Sequence, residues 1–317
     1  MEDLERLVAD AREGVPRAVG KLVSLVEDAS PRLRELAAAL APYTGHARVV
    51  GLTGSPGVGK STTTSALVTA LRADGRRVGV LAVDPSSPFS GGALLGDRVR
   101  MSEHATDPGV FIRSMATRGH LGGLAAATPQ ALRVLDAAGC DVVLVETVGV
   151  GQSEVEVVAL SDTTVVLLAP GMGDGVQAAK AGILEVADVF AVNKADRDGA
   201  DATVRELQHM MRLNRVEKGP SWRVPVVRTV ASSGQGIDDL VAALDDHHTF
   251  LADHDRLGEG PRRRARAEIE AIALADLRAR IRSLAGSTAL DALAERVVDG
   301  ALDPFAAADE VVASVRG

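Results

Sequence analysis

An amine and a hydroxyl, Lys60 and Ser61, close the run Gly54-Ser55-Pro56-Gly57-Val58-Gly59-Lys60-Ser61, which fits the spacing G-x-x-x-x-G-K-[ST] at every fixed position. That set of residue types suits one chemistry, the enclosure of phosphate. Glycines let backbone N–H groups turn toward oxyanions, and Lys60 brings a full positive charge to the outer phosphates. A helix opening at Ser61 and Thr62 adds the partial positive charge of its N-terminus. The Ser61 hydroxyl is then placed to ligate magnesium beside a nucleoside triphosphate. A fortuitous match in a glycine-rich turn is the competing reading, and the flanks argue against it. Arg48-Val49-Val50-Gly51-Leu52-Thr53 reads as a short buried strand, and Ala66, Leu67, Ala70 and Leu71 put apolar groups on one side of the helix that follows.

A second polar run, Asn193-Lys194-Ala195-Asp196, leaves the apolar strand Asp188-Val189-Phe190-Ala191-Val192 and has the N-K-x-D pattern of guanine recognition. A carboxylate at Asp196 accepts hydrogen bonds from guanine N1–H and from the exocyclic amine. Adenine offers an acceptor and no amine there, so it would leave the carboxylate unpaired. Lys194 can lay its stem along the purine face, and Asn193 can tie this loop to the phosphate loop. Ala231-Ser232-Ser233, after the strand Val226-Val227-Arg228-Thr229-Val230, resembles the last guanine-contacting loop. Asn and Asp also favour ordinary strand-end turns. The position of this run downstream of a phosphate loop favours the base-binding reading.

Between the two motifs lie acids that could hold a metal. Gly79-Val80-Leu81-Ala82-Val83-Asp84 and Asp141-Val142-Val143-Leu144-Val145-Glu146 are apolar strands ending in a carboxylate, and both ends fall at the carboxyl edge of a parallel sheet, where ligands bind in open α/β folds. Glu146-Thr147-Val148-Gly149 has the shape of a D-x-x-G switch with Glu in place of Asp. Gly149 is placed to give its N–H to the γ-phosphate. Asp97, in a glycine-rich stretch, is a third metal candidate. Magnesium takes only one or two carboxylates directly, so one of Asp84, Asp97 and Glu146 can equally be a helix cap or a solvated acid. Gln152 could orient water or be structural. Arg113 and Arg118 could meet phosphate charge or pair with surface acids. His247, His248 and His254 cluster without the ligand spacing of a zinc or nickel site.

Gly54 to Thr64, Val83-Asp84-Pro85-Ser86-Ser87-Pro88, the segment 91–97, Glu146-Thr147-Val148-Gly149-Val150-Gly151-Gln152-Ser153-Glu154, the segment 171–177 and Asn193 to Asp196 together resemble the MeaB family, with its MMAA- and ArgK-like members. Those proteins are accessory GTPases of the cobalamin-dependent methylmalonyl-CoA mutase. The resemblance implies a Mg2+-dependent GTPase that gates cofactor loading and protects the mutase. It also implies a homodimer with helices before and after the GTPase core. In that family the segment holding Gly171, Gly173, Asp174, Gly175 and Gln177 belongs to a third switch that contacts the mutase; a plain strand-to-helix turn is the alternative. An ATP-dependent kinase of a lysine/arginine/ornithine transport system is the runner-up, disfavoured by the base-binding run. A protein-targeting GTPase of the signal-recognition type, suggested by Gly59-Lys60-Ser61-Thr62-Thr63-Thr64, lacks a methionine-rich RNA-binding domain downstream.

The elements that must position these groups are those of an α/β fold, a P-loop NTPase with a mostly parallel sheet flanked by helices. Residues 1–45 read as an N-terminal helical extension, 46–255 as the GTPase domain and 256–317 as a C-terminal helical segment suited to dimerisation. Helical spacing runs through 1–29, a second helix opens at Ser30-Pro31, a long helix covers about 262–284, and two shorter ones close the chain. At 317 residues and 46% hydrophobic content the chain can bury a large core and exceeds a typical single domain. A net charge of −8 argues against broad binding to nucleic acid, and 2% aromatic content leaves little for base stacking. The basic run Arg262-Arg263-Arg264 therefore reads as a solvated or dimer-facing surface. No apolar stretch of about eighteen residues and no leader is visible, and Cys140 has no partner for a disulfide. The expectation is a cytoplasmic enzyme using GTP, GDP and Mg2+, with no tightly bound organic cofactor and no membrane partner.

Overall fold

The computed structural model describes residues 4–84, 101–116, 127–147, 159–171, 183–213 and 222–316. Its strands are β1 (Arg48–Thr53), β2 (Val78–Asp84), β3 (Val110–Ala116), β4 (Val142–Thr147), β5 (Thr163–Leu168), β6 (Val189–Val192) and β7 (Val226–Arg228). They form one seven-stranded sheet in the order β3-β2-β4-β1-β5-β6-β7, and every pairing is parallel. A parallel sheet is covered on both faces, so its strands are near-continuous apolar runs. The pleat still sorts them. Val50, Leu52, Val80, Leu144, Val165 and Leu167 enter one core cluster, while Val49, Leu81, Val83, Val143 and Val145 enter another.

The helices of eight residues or more are α1 (Leu4–Arg12), α2 (Pro16–Glu27), α3 (Leu33–Leu40), α4 (Lys60–Ala73), α5 (Thr128–Ala137), α6 (Ala200–Leu213), α7 (Ile237–Asp253), α8 (Glu259–Val298) and α9 (Pro304–Arg316), and a single turn, Ile183–Val186, precedes β6. Helices α4 and α7 cover the first face with Leu67, Val68, Leu71, Leu240 and Leu244. Helices α1 to α3 and α5 cover the second, where Leu7, Leu22, Leu36 and Leu135 share a core with β4. Val204 and Leu207 of α6 meet Phe190 and Val192 of β6. Each such fully buried side chain stabilises the fold by about 1.5–3 kcal/mol.

Two elements differ from the helical spacing. The amino-terminal pattern is interrupted between α1 and α2, where Gly14 adopts φ 83° and Pro16 occupies the first turn of α2. Glycine ends a helix in the left-handed region and proline starts one, so the pair breaks an otherwise continuous apolar stripe. Conversely, α8 is one helix of 40 residues that runs through Gly286 without the expected break near 284–289. An interior glycine weakens a helix by about 1 kcal/mol and does not by itself end it.

By internal contacts the chain forms two units, residues 1–264 and 265–317. In the second, Arg296 of α8 pairs with Glu310 of α9 at 2.9 Å, and Ile269, Ile272, Leu274 and Leu277 of α8 are exposed. In the first, the basic run has a defined use rather than a merely solvated one. Arg263 donates to the carbonyls of Ala159 and Ser161, and Arg264 donates to Leu160 O at 3.0 Å and to Asp162 at 2.6 Å. Arg113 lies in β3, a strand absent from the sequence reading, and its guanidinium is taken by Glu27 and Ser24 of α2.

The histidine cluster packs rather than ligates. His247 is buried, its Nδ1 is 2.8 Å from Thr163 Oγ1, and its ring sits 4.9 Å from that of Trp222, which donates to the Asp188 carbonyl at 2.7 Å. Among the described residues there is no group of three metal-ligating side chains. Burial pushes the His247 pKa down from 6.5 to about 4, and the Asp188 carboxylate 3.6 Å from Nε2, already accepting from the Thr164 amide, does not offset it. The unfolded chain therefore binds this proton first, and stability falls as pH drops from about 6.5 toward 4. Urea midpoints should decrease from pH 7 to pH 5, and His247→Gln should flatten that decrease, with His248 common to both proteins. An unchanged slope in the variant would contradict the buried neutral imidazole.

Candidate nucleotide and metal site

The phosphate loop leaves β1 at Thr53 and enters α4 at Lys60. Two of its glycines are required by close approach. A Cβ on Gly54, at φ 141°, would stand 2.3 Å from the Leu167 carbonyl oxygen of β5. A Cβ on Gly59, at φ 98°, would stand 2.4 Å from Nδ2 of Asn193. Val58 is fully buried beneath the loop, while Pro56 and Gly57 form its exposed rim beside Ser55. Lys60 folds over this rim, its ammonium donating to Gly54 O at 2.7 Å and Ser55 O at 3.3 Å. A cation held by two carbonyls at the mouth of a loop is poised to exchange them for phosphate oxygens.

Glu146 comes to the same place from β4. Its strand positions 142 and 144 face the core under α4, so the pleat turns position 146 that way too. In register it stands between Leu52 of β1 and Ala82 of β2, and it is 4% exposed. The carboxylate accepts from Ser61 Oγ at 2.6 Å through Oε1 and from Thr64 Oγ1 at 3.0 Å through Oε2. Of the two intervening residues, Thr62 is exposed and Thr63 is buried, its hydroxyl donating to Gly59 O at 2.9 Å. A serine hydroxyl against a buried carboxylate is a hard oxygen donor set without nitrogen or sulfur. It fits magnesium, which asks for one or two carboxylates and otherwise takes water and phosphate oxygens.

The N-K-x-D run arrives from β6. Asn193 is buried at 3% exposure and uses both ends of its carboxamide: Nδ2 donates to Val58 O at 2.8 Å, and Oδ1 accepts from Ala231 N at 3.0 Å and Thr229 Oγ1 at 3.2 Å. One side chain thereby joins three loops. Lys194 adopts φ 56° and donates to Gly57 O at 2.6 Å, so the backbone strain of a left-handed lysine sits beside the phosphate loop. The Ala195 amide donates to Thr229 O, and Asp196 is exposed at the rim. Ala231 is buried and Ser232 exposed in the adjoining turn.

The structure thus brings together Gly54, Lys60, Ser61, Glu146, Asn193, Lys194, Asp196 and Ala231 at one edge of the sheet. For Asp84 the backbone end of β2 is described and the side chain is not. Asp97, Arg118, Gly149, Gln152, Gly173, Asp174, Gly175 and Gln177 lie outside the described residues, and Gly171 stands just after β5 with φ 82°. Thr64 had no assigned role in the sequence reading, although its spacing of three from Ser61 puts both hydroxyls on one helix face. Arg113, engaged by Glu27, is held in the second face's packing.

A sequence profile described as "Methylmalonyl Co-A mutase-associated GTPase MeaB" matches residues 19–285. A Pyrococcus abyssi protein carrying a GTPase name is 46% identical over 315 residues, covering 99% of this chain and 97% of its own. The GTPase ArgK of Escherichia coli is 39% identical over 265 residues, covering 81% and 78%. The methylmalonic aciduria type A homolog, mitochondrial, of Mus musculus is 37% identical over 270 residues, 78% of this chain and 64% of that one. A crystal structure of a LAO/AO transport system kinase superposes with a TM-score of 0.71 at 28% identity over 99% of this chain and 98% of that chain. The chain belongs to the MeaB family. It is a P-loop GTPase. The kinase name belongs to that neighbour, and the Pyrococcus abyssi and Escherichia coli relatives, of higher identity, are named GTPases.

Asn193→Asp tests the junction most sharply, because it keeps size while turning the donor that faces Val58 O into an acceptor. Loss of that bond beside a buried carbonyl should destabilise the chain by about 1–3 kcal/mol and weaken GDP binding at least tenfold. Parent-like unfolding and affinity would remove Asn193 from the role of organiser.

Proposed function

We propose that the chain hydrolyses GTP to GDP and phosphate with Mg2+ and serves a cobalamin-dependent methylmalonyl-CoA mutase as an accessory GTPase. The observation that carries the guanine reading is the Asn193 and Lys194 clamp, which holds Asp196 at the rim of the phosphate loop. In this reading the backbone from Gly54 to Gly59 encloses the phosphates, and Lys60 shifts from the Gly54 and Ser55 carbonyls to the outer phosphate oxygens. Asp196 receives guanine N1–H and the 2-amine, and Ala231 and Ser232 border the base. Ser61, with Glu146 behind it and Asp84 and Asp97 as further candidates, holds Mg2+, which supplies charge neutralisation on the phosphates. Gly149 gives its N–H to the γ-phosphate, and Gln152 orients the attacking water. The work of these groups is positioning and charge stabilisation.

The partner assignment rests on family membership and on the likeness to the mouse homolog. We place the segment 171–177 as the coupling switch and residues 256–317 as the dimerisation segment. The exposed Ile269, Ile272, Leu274 and Leu277 of α8 support self-association, since large apolar side chains grouped on one helix are covered in stable assemblies. The transport-kinase alternative requires ATP, which the Asp196 loop disfavours. Among the described residues no helix is long and apolar enough to cross a membrane. We place the protein in the cytoplasm, where GTP and an acyl-CoA mutase are both at hand.

Two measurements follow from this reading. GTP should be preferred to ATP by roughly 100-fold or more, from two hydrogen bonds to a charged acceptor at about 1.5–3 kcal/mol each, and Asp196→Asn should shift preference to xanthosine nucleotides. Equal affinity of the unmodified protein for ATP and GTP would refute the base assignment. Phosphate release by the isolated protein should be slow and should rise on adding the mutase, because a partner that supplies or orders one cationic group can be worth about 10^3–10^5 in rate. A rate unaffected by the mutase would contradict the partnership.

A further inference from the structure

We infer that Thr64 is a positioning residue for the metal site, holding the Glu146 carboxylate so that it serves Ser61 and the cation beside it. The inference rests on the reading of Ser61 and Glu146 as the magnesium site and extends it to a residue with no phosphate or base to touch. Thr64 is fully buried on α4, three residues after Ser61, so the two hydroxyls stand one above the other on the helix face turned to β4. Each meets a different oxygen of the same carboxylate, Ser61 Oγ at Oε1 and Thr64 Oγ1 at Oε2.

That division fixes more than position. A carboxylate turns about its terminal torsion through a broad, two-fold well, so a single hydrogen bond leaves its plane loosely set. Two donors rooted one turn apart on a rigid helix set the plane. The Thr64 hydroxyl has one proton and two acceptors within reach, Glu146 Oε2 and Lys60 O, both at 3.0 Å. Charge assistance favours the ionised carboxylate over the neutral carbonyl, which is the i−4 partner a helix threonine otherwise takes. Lys60, Ser61 and Thr64 lie at the start of α4, so the carboxylate that Thr64 meets is held beside the phosphate lysine and the Ser61 hydroxyl. Ser61 can lend its oxygen lone pair to a cation while keeping its proton on Oε1, provided Oε1 does not swing away. Thr64 prevents that swing. Outer-shell partners of this kind typically carry 10–100-fold in metal affinity.

The test compares Thr64→Val, which keeps the β-branched shape and removes the hydroxyl, with Thr64→Ser, which keeps the hydroxyl, and with Glu146→Gln. The readout is binding of a fluorescent GDP analogue titrated with MgCl2 and repeated in EDTA, alongside the thermal midpoint without metal. Thr64→Val should need at least 10-fold more Mg2+ to reach half of the metal-dependent gain in affinity, Thr64→Ser should return to within about 3-fold of the parent, and the EDTA affinities of all three Thr64 proteins should agree within about 2-fold. Should the valine protein misfold, Thr64→Ala carries the same comparison. Parent-like Mg2+ titration of the hydroxyl-free variant beside an impaired Glu146→Gln overturns the role of Thr64 alone. A parent-like Glu146→Gln removes the magnesium reading and this inference with it. Equal impairment in Thr64→Val and Thr64→Ser would also overturn it, since loss of shape rather than of the hydroxyl would then be the cause.

Discussion

A sheet whose strands all run the same way delivers every strand end to one edge, and the loops that gather there must satisfy one another's buried polar groups. Asn193 meets that constraint. It gives its donor to the phosphate loop at Val58 and its acceptor to the third loop at Ala231, so segments that are 135 and 38 residues away in sequence are tied through one carboxamide. Gly59 must lack a Cβ for this side chain to pass, and Gly54 must lack one for the loop to pass the end of β5. The strained φ of Lys194 is sustained within the same junction. The phosphate loop and the N-K-x-D loop are thus joined into a single object by these hydrogen bonds.

The proposed metal half of the site depends on the pleat. Because β4 lies between β1 and β2, Glu146 emerges directly under the first turn of α4, and period-two alternation aims it at Ser61 and Thr64. A buried carboxylate is costly unless several donors meet it, and this one has hydroxyls at both oxygens. The helix carries the phosphate lysine, the hydroxyl that fits a cation and the threonine behind the carboxylate within five residues, from Lys60 to Thr64. Burial of Leu67, Val68 and Leu71 of the same helix against the sheet holds this turn in place. Core packing and site geometry are therefore consequences of the same contact surface.

Much of this site was legible because its signals are local. The glycine spacing around Lys60, the polar run after β6 and the carboxylates at strand ends each state their chemistry within a few residues. What escaped was set by distant partners. Nothing near Arg113 reveals that Glu27, 86 residues earlier, takes its guanidinium, so the sequence left this residue open between phosphate charge and an acid. His247 lacked ligand spacing in the sequence, yet nothing near it names Thr163 and Trp222 as the groups it packs against. The β5 run Thr163-Thr164-Val165-Val166-Leu167-Leu168 has no alternation to announce a strand, because both its faces are covered. The helical spacing through 1–29 hid the break at Gly14 and Pro16 between α1 and α2, and the long helix expected to end near 284 runs on through Gly286 in α8.

We propose that one edge of the sheet holds base, phosphates and cation at once, and a crystal structure with GDP and Mn2+ addresses this directly, since anomalous scattering locates the metal independently of the protein. The account predicts manganese at about 2.1–2.3 Å from Ser61 Oγ with Glu146 still between Ser61 and Thr64, the guanine amine on Asp196, and Asn193 unmoved between Val58 and Ala231. Manganese away from Ser61, or a base bound elsewhere with the Asn193 junction opened, would contradict it.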